Sequence, residues 1–345
     1  MNIVVLAGGL SPERDVSLCS GIEVRNALRH KGHRAVMIDV YLGIEQETGD
    51  LDAVFDWDIA YPGSGGIGHE APDLEEIRLM RRDQSPALIG PRVLAMCRRA
   101  DVVFLALHGA IGENGKLQAA LDIYGIRYTG SGALGSAIAM DKSMSKQLFV
   151  NSRLLTPPAR LIRRGDLIDP ATIRYPCMVK PCSGGSSVGA TPVNEILALD
   201  AAISLAFHYE DKILIEDFIK GREFSVAVLG QQALPVIEIC PKGEFFDYKH
   251  KYQSDICQEI CPARLDPDTA GRMQEIALQA YQALELAVFA RMDFILADSG
   301  EIYILEANTV PGMTKASLLP KEAAAAGISY AEMCQRIVDY SLQKY

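Results

Sequence analysis

The sequence predicts a mixed α/β and α+β chain: a parallel α/β layer at the N-terminus, then two α+β units. Three observations carry this. The apolar run Ile3 to Leu6 ends at Gly8-Gly9, and a helical stretch to Arg29 and a second apolar run, Ala35 to Val40, follow it. Strand, loop, helix, strand is the opening of a parallel sheet. A second unit runs through the apolar strand Cys177 to Lys180, a Gly/Ser loop, a helix from Asn194 to His208, and the strand Ile213 to Phe218. Finally, Arg291 to Ala297 and Glu301 to Asn308 both read as strands, and Asp298-Ser299-Gly300 between them signals a hairpin.

The elements between follow in order. Asp15 or Ser11 is placed to cap the first helix. Residues 43–98 are mixed in pattern and contain Gly63-Ser64-Gly65-Gly66, so they read as an elaboration of the first unit. Asp101 to Leu107 is a buried strand ending in His108-Gly109, and Lys116 to Tyr124 is helical. A boundary is expected near Gly130 to Gly135. Strands are expected at Phe224 to Leu229 and Leu234 to Ile239, then an irregular polar loop from Gly243 to Pro262. Asp266-Pro267 starts a helix with Pro at its first position, and Met273, Ile276, Ala280, Leu284 and Ala287 form its apolar stripe.

With 345 residues, 49% hydrophobic and 23% charged, the chain has the makeup of a globular protein of two or three domains. A formal net charge of -10 argues against broad nucleic-acid binding, which needs a basic surface. No apolar stretch approaches the ~20 residues of a spanning helix. The N-terminal residues lack a positive n-region and a cleavage site, so a cytoplasmic protein is expected. The eight cysteines are scattered without a CxxC pair; Cys257 and Cys261 stand four apart with no second close pair, and reduced core thiols are expected.

The hairpin asks for a cation. Taking Ser299-Gly300 as a two-residue loop sets Asp298 opposite Glu301, Asp293 opposite Glu306 and Arg291 opposite Asn308. Alternation puts Arg291, Asp293, Glu306 and Asn308 on one face, with Ile295 opposite Ile304 on that same face. A three-residue loop would slip this register. Carboxylates directly opposite each other repel. A hard divalent cation relieves them, since Asp, Glu and Asn supply the oxygens Mg²⁺ prefers; the alternative is an exposed polar face on which Arg291 pairs both acids.

A second signal is Ser183-Gly184-Gly185-Ser186-Ser187-Val188-Gly189, after the strand that ends at Lys180-Pro181. Glycines let the backbone approach an anion, the hydroxyls add donors, and Lys180 is in reach of a phosphate. A plain surface hairpin is the alternative. Two other glycine patterns fail. Gly115-Lys116 lacks the rest of a Walker A loop, with Ala110 and Leu117 at the deciding positions. Gly130-Ser131-Gly132-Ala133-Leu134-Gly135 fits GxGxxG literally, but without a firm strand before it or an acid about 20 residues on.

Taken together, long ordered motifs closely resemble the D-alanine–D-alanine ligases across nearly the whole chain apart from roughly residues 43–98. They are Gly8-Gly9-Leu10-Ser11-Pro12-Glu13-Arg14-Asp15-Val16-Ser17; His108-Gly109 through Glu113-Asn114-Gly115; Tyr128-Thr129-Gly130-Ser131-Gly132; Met140-Asp141-Lys142; Val179-Lys180-Pro181 with Gly185 to Gly189; Asp247-Tyr248 through Lys251-Tyr252; and Leu305 to Thr309 with Pro311 to Thr314. The resemblance implies the ATP-grasp fold, with an N-terminal α/β substrate domain at 1–130, a central domain at 131–217 and a C-terminal domain at 218–345, the last two sandwiching the nucleotide.

It also implies roles. Lys142 and Lys180 match nucleotide-phosphate lysines, Ser187 belongs to the phosphate loop, and Lys251 matches a residue reaching the γ-phosphate. Glu216 matches the adenine side, Asp217, Phe218 and Ile219 the hinge around the base, and Glu223 the ribose acid. Asp293, Glu306 and Asn308 match the ligands of Mg²⁺ (or Mn²⁺), two ions in all. Glu13 matches the residue holding the first D-alanine's ammonium and His108 a first-subsite residue, although a lone histidine is more often structural. Arg291 and the Gly312 N–H match the oxyanion donors. Ser186 and Tyr252 match a hydrogen-bonded pair that closes an omega loop over the site with Glu13. Ser317 and Leu318 match the second D-alanine pocket. The implied reaction forms an acyl phosphate from the first D-alanine and ATP, which the second D-alanine's amine then attacks. A homodimer is implied as well.

Ala110-Ile111 and Glu113-Asn114 depart from the family's usual Gly-rich, Glu-Asp version of the His108 loop, and the long 43–98 segment is reminiscent of resistance-type ligases. These keep D-serine open as second substrate. A regulatory protein that kept the fold and lost catalysis, and a nicotinamide dehydrogenase, are the readings from other classes.

Overall fold

The computed structural model describes residues 1–345 except 47–48, 67, 69–71, 186–187 and 242–256. Chain order begins with β1 (Asn2–Ala7), α1 (Arg14–His30) and β2 (Arg34–Asp39), then α2 (Leu74–Met80), α3 (Val93–Cys97) and β3 (Val102–Leu105). The strands form a parallel sheet in the order β2-β1-β3. Both faces are covered, which explains why these strands read as continuous apolar runs rather than alternating ones. Ile3, Val5 and Ala7 pack with Leu18, Val24 and Leu28 of α1. Val4 and Leu6 pack on the other face with Val54, Phe55, Val93 and Met96, so part of the 43–98 segment seals that face.

The expected cap of α1 differs in detail. Glu13 occupies the N-cap position and makes no capping bond through its side chain, while Ser11 Oγ accepts the Glu13 N–H at 3.1 Å. Asp15 lies inside the first turn, and Arg29 and His30 lie in the last, each complementing the helix dipole. The loop before the helix is tied down by Arg14 and Asp39, both 0% exposed and joined as an ion pair. Arg14 Nη1 also donates to the Gly9 carbonyl at 2.9 Å, and Asp39 Oδ1 accepts the Tyr41 and Leu42 N–H groups. Gly8 has φ +69°, and a side chain there would run into the Asp39 carboxylate.

Next come α4 (Ala110–Glu113), α5 (Lys116–Ile123), α6 (Ala133–Met140) and α7 (Lys142–Asn151). The glycine pattern at 130–135 serves packing. Only an isolated bridge, Val103 to Tyr128, precedes it, and a Cβ on Gly135 would lie 2.7 Å from the Glu285 carbonyl.

A four-stranded antiparallel sheet follows, from β4 (Ala159–Arg163), β5 (Cys177–Pro181), β6 (Thr191–Val193) and β7 (Lys212–Asp217) in the order β4-β7-β5-β6. The helix expected from Asn194 starts later: a 3-10 turn, Ile196–Ala198, leads into α8 (Leu199–Tyr209).

The last sheet holds β8 (Gly221–Leu229), β9 (Gln232–Ala233), β10 (Ile237–Pro241), β11 (Cys257–Ile260), β12 (Phe289–Ala297) and β13 (Ile302–Asn308), in the order β11-β10-β8-β12-β13 with β9 on β8. Between β11 and β12 runs α9 (Pro267–Ala283), capped by the Asp266 carboxylate on the Thr269 N–H. Phe224, Val226, Met292, Phe294 and Ile304 share one face and pack with Met273, Ala277 and Ala280 of α9. The chain finishes with α10 (Leu318–Ala325) and α11 (Tyr330–Leu342). Cys97, Cys177, Cys182 and Cys334 are buried free thiols. Among the described residues no helix is long and apolar enough to cross a membrane.

Removing one member of the buried Arg14–Asp39 pair strands the other charge away from water. Asp39→Ala is expected to lower stability by about 3–5 kcal/mol. Arg14→Met/Asp39→Ala should recover much of that loss, which chemical denaturation of the three proteins will measure.

Candidate active site

The hairpin register was expected from a two-residue loop, and the structure corrects the route to it. Ala297 N–H bonds to the Glu301 carbonyl across a three-residue loop, so Asp298 does not face Glu301. The slip puts Phe294 opposite Ile304 and Ile295 opposite Tyr303, rather than Ile295 opposite Ile304. An irregularity between Asp293 and Phe294 then takes up one extra residue on β13 and restores Asp293 opposite Glu306 and Arg291 opposite Asn308. On the neighbouring strand Ser225 stands beside Asp293 and Glu223 beside Ile295. Glu223, Ser225, Arg291, Asp293, Glu306 and Asn308 thus share the face turned away from α9.

The chain's own cations pair with Asp293 and Glu306. Arg291 grips Asp293 with two hydrogen bonds of 2.8 Å, and Asp293 also accepts from Ser225 Oγ and Asn308 Nδ2, each at 3.0 Å. Arg291 and Asp293 are 6% and 8% exposed. Burial opposes charge on the guanidinium, but Asp293 and Glu306 outweigh it and hold the proton more firmly than usual. Lys142, first residue of α7, reaches Glu306 Oε2 at 3.2 Å and the Gly184 carbonyl at 2.7 Å. The alternative of an exposed face on which Arg291 pairs both acids differs from what is found: Arg291 and Asp293 are buried, Arg291 takes Asp293, and Lys142 takes Glu306.

A cavity opens here, lined by Lys142, Glu306, Asn308, Gly184, Gly185 and Glu113 among others. The donor set fits a hard divalent ion in its chemistry, since it offers only carboxylate and amide oxygens. Glu306 and Asn308 line the cavity directly, while Asp293 is held by Arg291. Among the described residues no cluster of three or more His, Cys, Asp or Glu is assembled for a metal.

A second charged cluster lies on the four-stranded sheet. Glu216, 4% exposed, receives Lys180 Nζ at 3.0 Å on Oε1 and Lys146 Nζ at 2.8 Å on Oε2. Burial disfavours the carboxylate, yet the two ammoniums overcome this and hold its pKa below the usual range. Burial pulls the Lys146 ammonium down to about 8 against the attraction of Glu216. Lys146 is absent from the residues expected from sequence; its spacing from Lys142, one helical turn, is the signal that would have found it had α7 been read. Asp217 closes β7, and Phe218 N–H bonds to the Pro176 carbonyl at 3.2 Å, so 217–219 form the link into β8.

Glu13 approaches from the parallel layer. A Cβ on Gly109 would lie 2.9 Å from its Oε2, and one on Gly185 3.6 Å, so its carboxylate sits between the His108 turn and the phosphate-type loop. His108 is buried: Nδ1 lies 3.1 Å from the Val310 carbonyl and Nε2 3.1 Å from Ser20 Oγ. A carbonyl only accepts, so Nδ1 carries the proton. Ser317 caps α10 in position, and its Oγ meets Thr314 Oγ1 at 2.8 Å; a Cβ on Gly312 would lie 2.6 Å from it. Leu318 starts α10. Ser186, Ser187, Lys251 and Tyr252 lie outside the described residues.

Comparison with known proteins identifies the family. Residues 2–131 fit the family model described as D-ala D-ala ligase N-terminus, and residues 169–339 fit D-ala D-ala ligase C-terminus. A D-alanine–D-alanine ligase of Pediococcus pentosaceus is 43% identical over 98% of this chain and 97% of its own length. One from Lacticaseibacillus casei is 41% identical over 100% of this chain and 97% of its own. The chain belongs to the D-alanine–D-alanine ligase family. Its fold is that of the ligase: the Bacillus anthracis D-alanine–D-alanine ligase complexed with ATP superposes with a TM-score of 0.77 at 28% identity, covering 100% of this chain and 98% of that one.

Within the ligase, α7 joins the two charged clusters, since Lys142 serves Glu306 on one sheet and Lys146 serves Glu216 on another. A carboxylate whose folded pKa is depressed stabilises the fold above its unfolded pKa and loses that contribution as pH falls through the folded value. Glu216→Gln is accordingly expected to flatten the acid limb of a Tm-against-pH curve, below the ordinary glutamate range, relative to the parent.

Proposed function

We propose that this ATP-grasp ligase joins two D-alanine molecules into D-alanyl-D-alanine, converting ATP to ADP and phosphate, for the cell-wall precursor. Full-length similarity to D-alanine–D-alanine ligases supports the activity. The observation that carries the site is the meeting of Lys142, Glu306, Asn308 and the Gly184-Gly185 loop at one cavity, with Glu13 against the same loop. D-serine as second substrate is not favoured, because the full-length relatives are D-alanine–D-alanine ligases.

The first D-alanine places its ammonium against Glu13, a charged partner suited to a desolvated cation, beside His108. Its carboxylate attacks the γ-phosphorus, the bond to ADP breaks, and an acyl phosphate forms. The amine of the second D-alanine, in a pocket formed by Ser317 and Leu318, attacks the acyl carbon. It loses a proton, and phosphate leaves. Arg291 and the Gly312 N–H face the oxyanion of that step. Fixed donors aimed at developing charge are commonly the largest catalytic contribution. Lys142, Lys180, Ser187 and Lys251 bind the phosphates, Glu216 with 217–219 the base, and Glu223 the ribose. Ser186 and Tyr252 close the loop that keeps water from the acyl phosphate. Mg²⁺ (or Mn²⁺), two ions on the family pattern, would be held by Asp293, Glu306 and Asn308 and would disperse the phosphates' charge.

In this reading the substrate domain is 1–130, and 131–217 and 218–345 enclose the nucleotide. The enzyme works in the cytoplasm as a homodimer, and sedimentation as a monomer would overturn that state.

Phosphate release from ATP with D-alanine alone, D-serine alone and both, with dipeptides identified by mass, tests the function. D-Ala-D-Ala is expected from D-alanine alone. A product dominated by D-Ala-D-Ser would overturn the second-subsite assignment, and no product at all would overturn the activity. Arg291→Ala is expected to lower kcat by about 10²–10³ or more while ATP still binds; an active variant would sink the oxyanion role.

A further inference from the structure

Lys146 and Lys180 both touch Glu216, but they are committed to the protein in unequal measure. Lys146 Nζ pairs with Glu216 Oε2 at 2.8 Å and donates to Thr156 Oγ1 at 2.7 Å and the Pro157 carbonyl at 3.0 Å. The chain itself thus holds Lys146 on three sides, by two hydrogen bonds and one charge contact. Its side chain is 7% exposed. Lys180 makes one such contact among the described residues, Glu216 Oε1 at 3.0 Å, and its side chain is 14% exposed. One lysine is locked, and the other has donors to spare on the open side of the same carboxylate.

We propose that Lys146 is a positioning residue for nucleotide binding: as the standing counterion of Glu216, it leaves Lys180 free to turn its ammonium to a phosphate oxygen. This rests on the reading that Lys180 meets the nucleotide's phosphates. A buried carboxylate cannot lose its last cation without a large desolvation penalty. With Lys146 in place, Lys180 can leave Glu216 and the carboxylate stays paired. Without Lys146, Lys180 becomes the sole counterion and is withheld from the ligand. Lys146 itself never touches the nucleotide.

Calorimetric titration of the full chain with ADP and Mg²⁺ tests this. Lys146→Met is expected to weaken ADP binding about tenfold, the size of coupling usual between residues sharing one charge network. Lys146→Met/Glu216→Gln removes the carboxylate that would trap Lys180 and keeps an acceptor oxygen at that position. Its affinity should return to within about threefold of Glu216→Gln alone. The same truncation is present in both, so a packing defect would persist in the double variant, whereas a trapped Lys180 would be released. Lys180→Met should weaken binding whether or not Glu216→Gln accompanies it. If Lys180→Met binds ADP like the parent, the phosphate reading of Lys180 is wrong and the proposal falls with it. If Lys180→Met weakens binding but Lys146→Met does not, or the double variant stays weak or fails to fold, the positioning role of Lys146 alone is overturned.

Discussion

Three carboxylates around the site, Asp293, Glu306 and Glu216, are each matched by a cation, and the placement of the elements there follows from how this chain does it. Asp293 is matched by Arg291 from its own strand, two residues away. Glu306 and Glu216 lie on different sheets, and both draw on α7, through Lys142 and Lys146. An i,i+4 pair points along one helical face, so α7 acts as a strut whose single face spans the four-stranded and six-stranded sheets. The cavity lies where that strut passes Glu306. With Lys180 included, four cations pair with these three carboxylates, while Glu113 lines the same cavity and Glu13 lies against its Gly185 wall.

The six-stranded sheet shows the same economy of position. Along β8 and β12 the face away from α9 is polar at Glu223, Ser225, Arg291 and Asp293, then turns apolar at Ala227, Leu229 and Phe289, which pack with Leu319 and Ala323 of α10. Between the two halves sits Glu322, fully buried, its carboxylate accepting the Ala227 N–H. Burial raises its pKa well above the ordinary value, against the pull of the Ala227 N–H and the nearby Arg291. The helix that carries Ser317 and Leu318 at its start is thereby bolted to the strand next to Arg291.

Legibility in the sequence tracked how local each signal was. The parallel layer was readable because both sheet faces are buried, which leaves long apolar runs at Ile3–Leu6 and Ala35–Val40. The Asp293–Glu306 and Arg291–Asn308 pairings were expected from strand alternation in one hairpin, an argument that a three-residue loop breaks. There the expected pairing of Asp293 with Glu306 held although the loop length did not: a three-residue loop and a compensating bulge together give the register a two-residue loop would give. The α6–α7 segment was not read, since Ala133–Met140 is nearly all small or apolar and Lys142–Asn151 mixes lysines and serines with scattered apolar residues. Nor was the Arg14–Asp39 pair, because nothing near Arg14 in sequence announces a partner 25 positions on, at the end of another strand.

His108 shows why a residue can satisfy a bland reading and a functional one together. Its ring nitrogens are engaged by Ser20 of α1 and by the Val310 carbonyl just beyond β13. A histidine so placed is a cross-tie between the parallel layer and the six-stranded sheet, which is the structural role a buried histidine ordinarily has. Those same two bonds fix the tautomer and the ring plane, and the turn after His108 lies against the Glu13 carboxylate. A group that must sit within a few tenths of an ångström of a substrate is best held by bonds that do not involve the substrate. The cross-tie therefore holds the turn beside Glu13 rigid, which is what the first-substrate subsite proposed there would require.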